Sequence, residues 1–295
     1  MMQADPARSR TALVLRRRSR VQGFDAVVFK LVALAALGFG GLVVDHLIRG
    51  LPGLGFDFLF DDASRAGRAG GIAPVIVSTA LVLLVCFAFA ALLGLGAGVL
   101  LSEVVRDGDG RERFVRRNLD TLAGVPSIVF GLFANAVFTT LFGLGYSILA
   151  GGLTLACMVL PFLVRSAERT MATVPRTVRQ AADAVALSRT TLLARILVPA
   201  ALPGLVSGLL LGIGRAAGET AALLFTSGYT LRMPEGVTDG GRVLSIHIFD
   251  LSLNVAGGTD NAYRSAVVLL LLLVVVNVIF VLLQARIAAR QRKGR

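Results

Sequence analysis

Apolar residues come in long runs along this chain, and short polar segments separate the runs. Six runs are close to the length of about 20 residues that an α-helix needs to cross a bilayer. They lie at residues 27–48, 72–101, 121–142, 147–164, 200–227 and 265–286. The second and fifth runs are longer than one crossing, so we expect these helices to tilt, kink or extend beyond the membrane. The pattern predicts an all-α integral membrane protein with six transmembrane helices.

Positive charge is distributed unevenly between the polar segments. If the first span enters from the cytoplasm, 23 of the 30 Lys and Arg residues fall in cytoplasmic segments. This excess predicts that both termini are cytoplasmic. The chain then divides into a basic tail at 1–26, a six-helix domain at 27–288 and a basic tail at 289–295. Because topology accounts for the net charge of +12, nucleic-acid binding receives little weight.

Composition supports a membrane protein and offers no enzyme chemistry. Hydrophobic residues make up 55% of the 295 and charged residues 16%, whereas a soluble domain has about a quarter charged residues. The two lysines, Lys30 and Lys293, do not belong to a Gly-Lys-Ser/Thr phosphate loop. Cys86 and Cys157 lie within apolar runs, where cysteine behaves as a small hydrophobic residue. We therefore expect neither catalytic residues nor a metal site in this chain.

The polar segment between the fourth and fifth runs, Arg165 to Leu197, has the periodicity of two short helices. Val178, Ala181, Ala182 and Val185 form one apolar stripe at helical spacing. Ser188 is a favourable N-cap for a second helix that runs towards Pro199. A helix pair of this kind suits insertion into the groove of a partner protein. The alternative is an amphipathic connector on the membrane surface, and the pattern alone does not separate the two readings.

Arg215 and Glu219 are the charges that lie deep in an apolar run. A charge at the bilayer centre costs about 2.5–3.5 kcal/mol on insertion scales, so such residues usually serve a pathway or a partner. Their spacing predicts that both lie on one face of the fifth helix. Guanidinium binds tetrahedral oxyanions through two parallel donors. We expect Arg215 to contact an anion in transit and Glu219 to neutralise it between turnovers, with Thr220 and Ser127 as further pathway residues; a purely structural ion pair is the alternative.

The polar segment resembles the "EAA" loop of ABC importer permeases, which contact an ATPase through this loop. That loop reads Glu-Ala-Ala, three residues, Gly, and a proline thirteen positions later. Here Gln180-Ala181-Ala182-Asp183, Ala186 and Pro199 occupy those positions. The family's glutamate is replaced by Gln180 and its glycine by Ala186, which enters left-handed dihedrals less readily. The resemblance implies that residues 165–199 couple the membrane helices to the ATPase.

Three further segments are similar to phosphate importer permeases of the PstA type. They are Gly70–Pro74, Leu122–Gly131 and Gly214–Ala221, and the likeness extends over roughly residues 70–285. Ala222 stands where many relatives have proline, which predicts that a local kink is missing. The resemblance implies the MetI-like fold of type I ABC importer permeases, with a core transmembrane domain at about 72–286.

The resemblance also implies a function and a set of partners. The chain would be the non-catalytic permease subunit of an ATP-driven phosphate importer in the bacterial inner membrane. Its partners would be a second, PstC-type permease, a dimer of PstB-type ATP-binding subunits, a periplasmic PstS-type phosphate-binding protein and membrane lipid. ATP and Mg²⁺ would bind the ATPase, and this chain would bind no cofactor. An ion-coupled secondary anion transporter, a permease for another oxyanion and a non-transporting membrane scaffold are the alternatives.

The outer loop at residues 228–264 is long for a simple connector. Its apolar segment Leu244–Leu251 fits a strand, a helix or a re-entrant segment, and periodicity does not choose among them. The family resemblance implies that loops on this side receive the binding protein.

Overall fold

The computed structural model of the chain describes residues 6–103 and 110–293. Parts of the predicted basic tails, residues 1–5 and 294–295, and part of the predicted first cytoplasmic loop, residues 104–109, lie outside these ranges. The described residues are mainly α-helical. The helices are α1 Pro6–Gly50, α2 Phe56–Phe60, α3 Ala73–Ala90, α4 Gly96–Glu103, α5 Gly110–Ala123, α6 Ser127–Ala134, α7 Ile148–Ala172, α8 Arg176–Ala184, α9 Arg189–Leu192, α10 Val198–Ala217, α11 Leu244–Leu253 and α12 Thr259–Lys293.

Three π-helical segments, two short 3₁₀ turns (Arg65–Gly67 and Leu223–Phe225) and one hairpin complete the regular structure of the described residues. The π segments, Ala91–Leu95, Asn135–Leu141 and Leu193–Leu197, continue α3, α6 and α9 without a break in the helix. Strands β1 (Ala63–Ser64) and β2 (Ala69–Gly70) pair antiparallel, with Ala63 opposite Gly70.

The chain divides into two compact units, residues 1–49 and residues 50–295. In the first unit, α1 is one continuous helix from Pro6, so the described part of the predicted basic tail at 1–26 extends the first span as helix. Apolar side chains along the second half of this helix are exposed. Such a surface suits contact with lipid.

Five helical segments of the described residues are long and apolar enough to cross a membrane. They are Val27–Gly50, Ala73–Ser102, Ile148–Ala172, Arg189–Ala217 and Thr259–Ile287. The third predicted span, at 121–142, is broken, because Arg113–Ala123 and Ser127–Leu141 meet at an angle of 107°. The expected continuous helix at 121–142 was therefore wrong. Pro126 accounts for the break, since proline disfavours helical dihedrals at the preceding residue and cannot donate to the helix.

Helix α7 lies at the centre of the second unit and packs against α3 and α10. Leu155, Val159 and Leu163 of α7 are buried in this core. Glycines four residues apart on α10 allow close contact: a Cβ on Gly208 would lie 2.2 Å from Ser166 Oγ, and one on Gly212 would lie 2.7 Å from Val159. This is the packing that small residues at such spacing permit between membrane helices.

The segment Leu244–Leu251, whose form the sequence left open, is helical and belongs to α11. The hydroxyl of Thr79 on α3 accepts a hydrogen bond of 2.8 Å from the backbone N–H of Leu244. On another side of α11, the ring of His247 lies against the β1–β2 hairpin, where a Cβ on Gly67 would approach its Cε1 to 2.4 Å. These contacts hold α11 against α3 and against the hairpin.

Candidate translocation site

A cavity of about 480 Å³ lies between α5, α7 and α10. Its wall is partly apolar and partly basic, and three arginines on two antiparallel helices face it. The lining residues are Leu119, Asp120, Ala123, Met158, Pro161, Phe162, Arg165, Ser166, Arg169, Thr170, Leu211 and Arg215. An apolar wall with a few charged donors can hold and orient a small anion.

Arg215 lies in the last turn of α10 and lines the cavity. Its side chain is exposed, and among the described residues no carboxylate forms an ion pair with it. Arg215 therefore lines a cavity between helices, and its role in a transport pathway stays a prediction. The guanidinium presents its planar set of donors to the cavity.

The prediction that Arg215 and Glu219 share one helix face was wrong. Helix α10 ends at Ala217, with Gly218 as its C-cap, so Glu219 lies beyond the helix. The Glu219 carboxylate accepts a long hydrogen bond of 3.5 Å from the backbone N–H of Ala222 instead. Its backbone carbonyl accepts a 2.8 Å bond from the Ser245 hydroxyl of α11. Glu219 thus holds a turn in place, and it does not pair with Arg215.

The break after Ala217 also corrects the prediction of a missing kink at Ala222. The chain leaves the helix at Gly218 without needing proline, because glycine carries little preference for helical dihedrals. It then makes a short 3₁₀ turn at Leu223–Phe225. Ala222 is fully buried against α6, where a Cβ on Gly131 would lie 2.7 Å from its Cα.

Thr220 and Ser127 lie on segments that follow helices of the cavity wall, but neither residue lines the cavity. Thr220 follows Glu219, and its carbonyl accepts a hydrogen bond of 3.1 Å from the N–H of Leu224. Ser127 opens α6 directly after the break at Pro126, one turn before Gly131. Both side chains are half-buried. The structure brings Arg215 into the cavity, and it places Glu219 and Thr220 together on the segment that follows α10.

Sequence reasoning missed two cavity residues, Arg165 and Arg169. The apolar run ends at the first of them, so the sequence placed both in the polar loop, whereas α7 continues to Ala172. Phe162, Arg165 and Arg169 have the spacing (i, i+3, i+7) of one helix face. This spacing is the sequence signal that could have predicted this wall of the cavity.

Arg165 belongs to an ion-pair network between α5 and α7. Its guanidinium contacts the carboxylate of Asp120 and lies 3.9 Å from Glu168 Oε2. Glu168 is buried, and its Oε1 lies 3.5 Å from Arg116 Nη2. Two arginines and two carboxylates therefore balance each other at this wall of the cavity.

The polar segment after α7 forms the predicted helix pair. Helix α8 is followed by α9, and Ser188 caps α9 by accepting a hydrogen bond of 3.3 Å from the N–H of Thr191. The second helix continues into α10 through Pro199, so one helical segment runs from Arg189 to Ala217. Pro199 does not interrupt this segment, because proline is tolerated within the first turn of α10.

Helix α8 is firmly attached to the end of α7. Arg179 donates from Nη1 to the carbonyl of Val174 (2.8 Å) and from Nη2 to that of Met171 (3.1 Å). The Met171 carbonyl belongs to the last turn of α7 and the Val174 carbonyl follows just beyond it, where a cation is favoured by the helix dipole. Val178 and Ala182 pack beside them, against Leu192, Leu197 and Ala201. A movement of α8 would therefore be transmitted directly to α7.

Ala186 adopts the left-handed conformation, which glycine enters more readily than alanine. Its φ is 51°, and it follows α8 at the position where helices commonly terminate in this conformation. The N–H of Ala186 donates to Asp183 O (3.0 Å), and the N–H of Leu187 donates to Ala182 O (3.0 Å). This is the pair of hydrogen bonds of a Schellman motif.

The predicted coupling residues divide between two faces of this helix pair. Gln180, Ala181 and Asp183 are exposed on α8, and Val185 beside them is 73% exposed. Ala182, in contrast, is 5% exposed and packs inside the chain. The apolar stripe predicted from Val178 to Val185 is thus shared between an internal contact and an open surface.

Comparison with known proteins identifies the family. Residues 90–293 match the family described as "Binding-protein-dependent transport system inner membrane component". This range contains the cavity and the α8–α9 pair, and it covers more than half of the chain.

Two relatives and one solved structure show how far the likeness extends. The probable ABC transporter permease protein YqgI of Bacillus subtilis (strain 168) is 34% identical over 198 residues, which is 67% of each protein. The phosphate transport system permease protein PstA of Xylella fastidiosa (strain Temecula1 / ATCC 700964) is 29% identical over 273 residues, 91% of each protein.

An inward-facing structure of the MetNI methionine ABC transporter superposes with a TM-score of 0.62 at 19% identity, over 73% of this chain and 95% of that one. At this identity the likeness concerns the fold, and it confirms the predicted MetI-like arrangement. Together with the sequence match to the family, it settles the class of this protein. The chain belongs to the family of binding-protein-dependent transport system inner membrane components.

Proposed function

We propose that this chain is the PstA-type permease subunit of an ATP-driven phosphate importer and forms half of its translocation pathway. The observation that carries the proposal is Arg215, a cation without a carboxylate partner among the described residues, facing a cavity between transmembrane helices. The relatives named for phosphate transport support the choice of anion. A guanidinium matches the oxygens of phosphate with two parallel hydrogen bonds.

The mechanism we propose is alternating access driven from outside this chain. ATP and Mg²⁺ bind a dimer of PstB-type subunits, and the closure of that dimer moves α8. Because Arg179 and Ala182 attach α8 to α7, the movement reaches the wall that carries Arg165 and Arg169. The cavity then opens to the other side. This chain supplies the passage, and it contributes neither a catalytic residue nor a cofactor site.

Four residues belong to the proposed phosphate pathway: Arg215, Glu219, Thr220 and Ser127. Arg215 is the contact for phosphate. Glu219 has a different role from the one its sequence spacing predicts, since its carboxylate supports the turn at Ala222. Thr220 and Ser127 stand near that turn and offer hydroxyls when the cavity opens past it.

The exposed face of α8 is the proposed contact with the ATPase. Gln180, Ala181 and Asp183 present polar and small side chains, and Val185 adds an apolar one. Ala186 and Pro199 shape the segment on either side of α9. Gln180 replaces a glutamate of the family, so this contact carries one negative charge fewer.

The remaining partners follow from the family's organisation and the charge distribution. We propose that both termini lie in the cytoplasm, that a PstC-type permease completes the pathway in the bacterial inner membrane, and that a PstS-type phosphate-binding protein docks on the opposite side. The second unit presents α2, the hairpin and α11 at the ends of helices distant from α8. Family membership weighs against the ion-coupled transporter and the membrane scaffold.

The choice of phosphate is tested by competition in vesicles that contain the complete complex. Uptake of radiolabelled phosphate is measured with a tenfold excess of unlabelled phosphate, sulfate or molybdate, an order of magnitude chosen to exceed ordinary differences in affinity. We expect unlabelled phosphate to suppress uptake and the other two anions to leave it unchanged. Accumulation of labelled sulfate or molybdate in place of phosphate would show that the complex serves another oxyanion.

A further inference from the structure

The three arginines of the cavity occupy different levels along its axis. Helices α7 and α10 run antiparallel, with Gly204 beside Thr170 and Gly212 beside Val159. This register places Arg215 level with Met158 and Arg169 near the other end of the cavity. With a helical rise of 1.5 Å per residue, Arg169 lies about 16.5 Å from Arg215 along the axis, towards α8.

Among the described residues, carboxylates neutralise the middle arginine of the cavity but not the two outer ones. Arg165 is in contact with Asp120 and is close to Glu168. Arg169, one helical turn further, is exposed and lines the same cavity, and the ion pairs of the described residues do not include it. The uncompensated positive charges of the cavity wall are thus at its two ends.

We propose that Arg169 is a second contact point for the transported phosphate, at the end of the cavity nearest α8. The inference rests on the proposed function and extends it to the step in which the anion leaves. A phosphate released by Arg215 meets a second unpaired guanidinium before it reaches solvent. The last turn of α7 holds this side chain at the mouth of the cavity.

The ion pairs of Arg165 fit the same arrangement. Passage requires each contact to bind strongly enough to attract the anion and weakly enough to let it go. Three unpaired guanidinium groups within one cavity would hold a dianion tightly. Asp120 and Glu168 neutralise the middle guanidinium, that of Arg165. The anion therefore moves from one outer arginine to the other and is not held tightly at the centre of the cavity.

The first measurement is phosphate uptake by the complete complex with substitutions at Arg169. Arg169→Gln is expected to lower uptake about tenfold, the usual order for the loss of one charged hydrogen bond. Arg169→Lys is expected to retain most of the uptake, because a transfer point needs the charge more than the planar geometry. The matched control is Arg117→Gln, which removes an exposed arginine of α5 outside the cavity lining.

The second measurement separates anion contact from a stabilising role at the end of α7. Cysteine is placed at 170, where Thr170 lines the cavity beside Arg169, or, as control, at 117, in a chain that carries Cys86→Ala and Cys157→Ala. Reaction with a thiol reagent is then followed with and without inorganic phosphate. Phosphate is expected to slow the reaction at 170 several-fold while Arg169 is present, to slow it much less when Arg169→Gln is added, and to leave 117 unchanged. A role limited to the helix dipole predicts no protection at either position.

The outcomes distinguish this inference from the proposed function. If the unsubstituted complex fails to accumulate phosphate, the proposed function is wrong and the inference falls with it. If the unsubstituted complex accumulates phosphate while Arg169→Gln transports like Arg117→Gln and phosphate protects position 170 equally with and without Arg169, the inference alone is overturned. Copurification of the ATPase subunit verifies assembly, and Arg169→Lys keeps the charge at the helix end should the glutamine variant fail to assemble.

Discussion

Arg215 has two physically distinct reasons to be where it is. A cation in the last turn of α10 is favoured by the helix dipole, and this requires no anion. A guanidinium that faces a cavity without a carboxylate partner among the described residues, in contrast, suits binding of an oxyanion. The helix dipole requires only a positive charge at this position. Bidentate binding of an oxyanion requires in addition the planar guanidinium with its parallel donors.

Arg215→Lys separates these two roles. The variant keeps the charge at the helix end but loses the paired donors, so we expect phosphate uptake to fall by about tenfold or more, which corresponds to about 1.4 kcal/mol. ATP hydrolysis by the complex is measured in parallel to confirm assembly. Arg117→Lys on α5 is the matched control and should transport like the unsubstituted protein. Equal uptake by the two lysine variants would mean that Arg215 serves the helix alone.

His247 is a residue whose burial makes the stability of the protein depend on pH. Its side chain is fully buried in α11, and among the described residues neither ring nitrogen has a hydrogen-bond partner. Burial and the nearby Arg242 lower the pKa of His247 to about 4, while Asp250 acts in the opposite direction. Arg242 and Asp250 are themselves joined by an ion pair of 2.9 Å. The imidazole is therefore neutral at physiological pH.

The unfolded chain binds a proton at His247 more readily than the folded chain does between pH 6.5 and pH 4. The stability that neutral His247 permits is present above pH 6.5 and is lost as the pH falls towards 4, by up to about 3 kcal/mol. We expect the thermal midpoint in detergent to decrease from pH 7 to pH 5. His247→Leu should reduce that decrease, and an unchanged pH dependence in this variant would show that other groups cause it.

Among the structural elements, the turn after α8 contains a residue, Ala186, in a strained left-handed conformation that determines the position of α8. A residue other than glycine in the left-handed region costs about 1–2 kcal/mol. Ala186 bears this cost, while the two hydrogen bonds of the Schellman motif and the contact of Leu187 with Ala182 hold the turn. The position of α8, and hence its exposed face, depends on this turn.

Ala186→Gly should remove the strain and stabilise the chain by about 0.5–1 kcal/mol, after allowance for the greater flexibility of glycine in the unfolded state. The control is Ala181→Gly, an equally exposed alanine in ordinary helical conformation on the same element. It should destabilise the chain by about 1 kcal/mol. Thermal unfolding of the isolated chain in detergent measures both. Shifts of the same sign would contradict the assigned conformation.

The sequence predicts these elements unequally well, and the reasons are physical. Hydropathy locates the spans because lipid requires about 20 apolar residues whatever their neighbours. It does not detect the end of α10, since Gly218 to Thr220 are flanked by apolar residues on both sides and the break depends on contacts with α6 and α11. It places the end of α7 too early, because Arg165 and Arg169 are polar even though their helix continues.

For the molecule as a whole, the sequence identifies the family and its predicted coupling residues, but it does not predict the cavity. The residues Gln180–Ala182, Ala186 and Pro199 lie close together in sequence, and their resemblance to the loop of ABC importer permeases identifies them. The cavity joins Asp120, Arg165 and Arg215 from three helices, and their proximity depends on the packing of α7 against α10. A single sequence contains the glycines that permit this packing, but it does not state which helix they face.

In the mechanism we propose, this chain supplies the passage for phosphate and a separate ATPase supplies the energy. Reconstitution in liposomes tests this division directly. Accumulation of radiolabelled phosphate is measured for the complete complex, for the complex without the ATP-binding subunit and for this chain alone, with ATP or with a proton gradient. We expect accumulation only in the complete complex supplied with ATP. Accumulation by the chain alone, or accumulation driven by the proton gradient without ATP, would contradict the account.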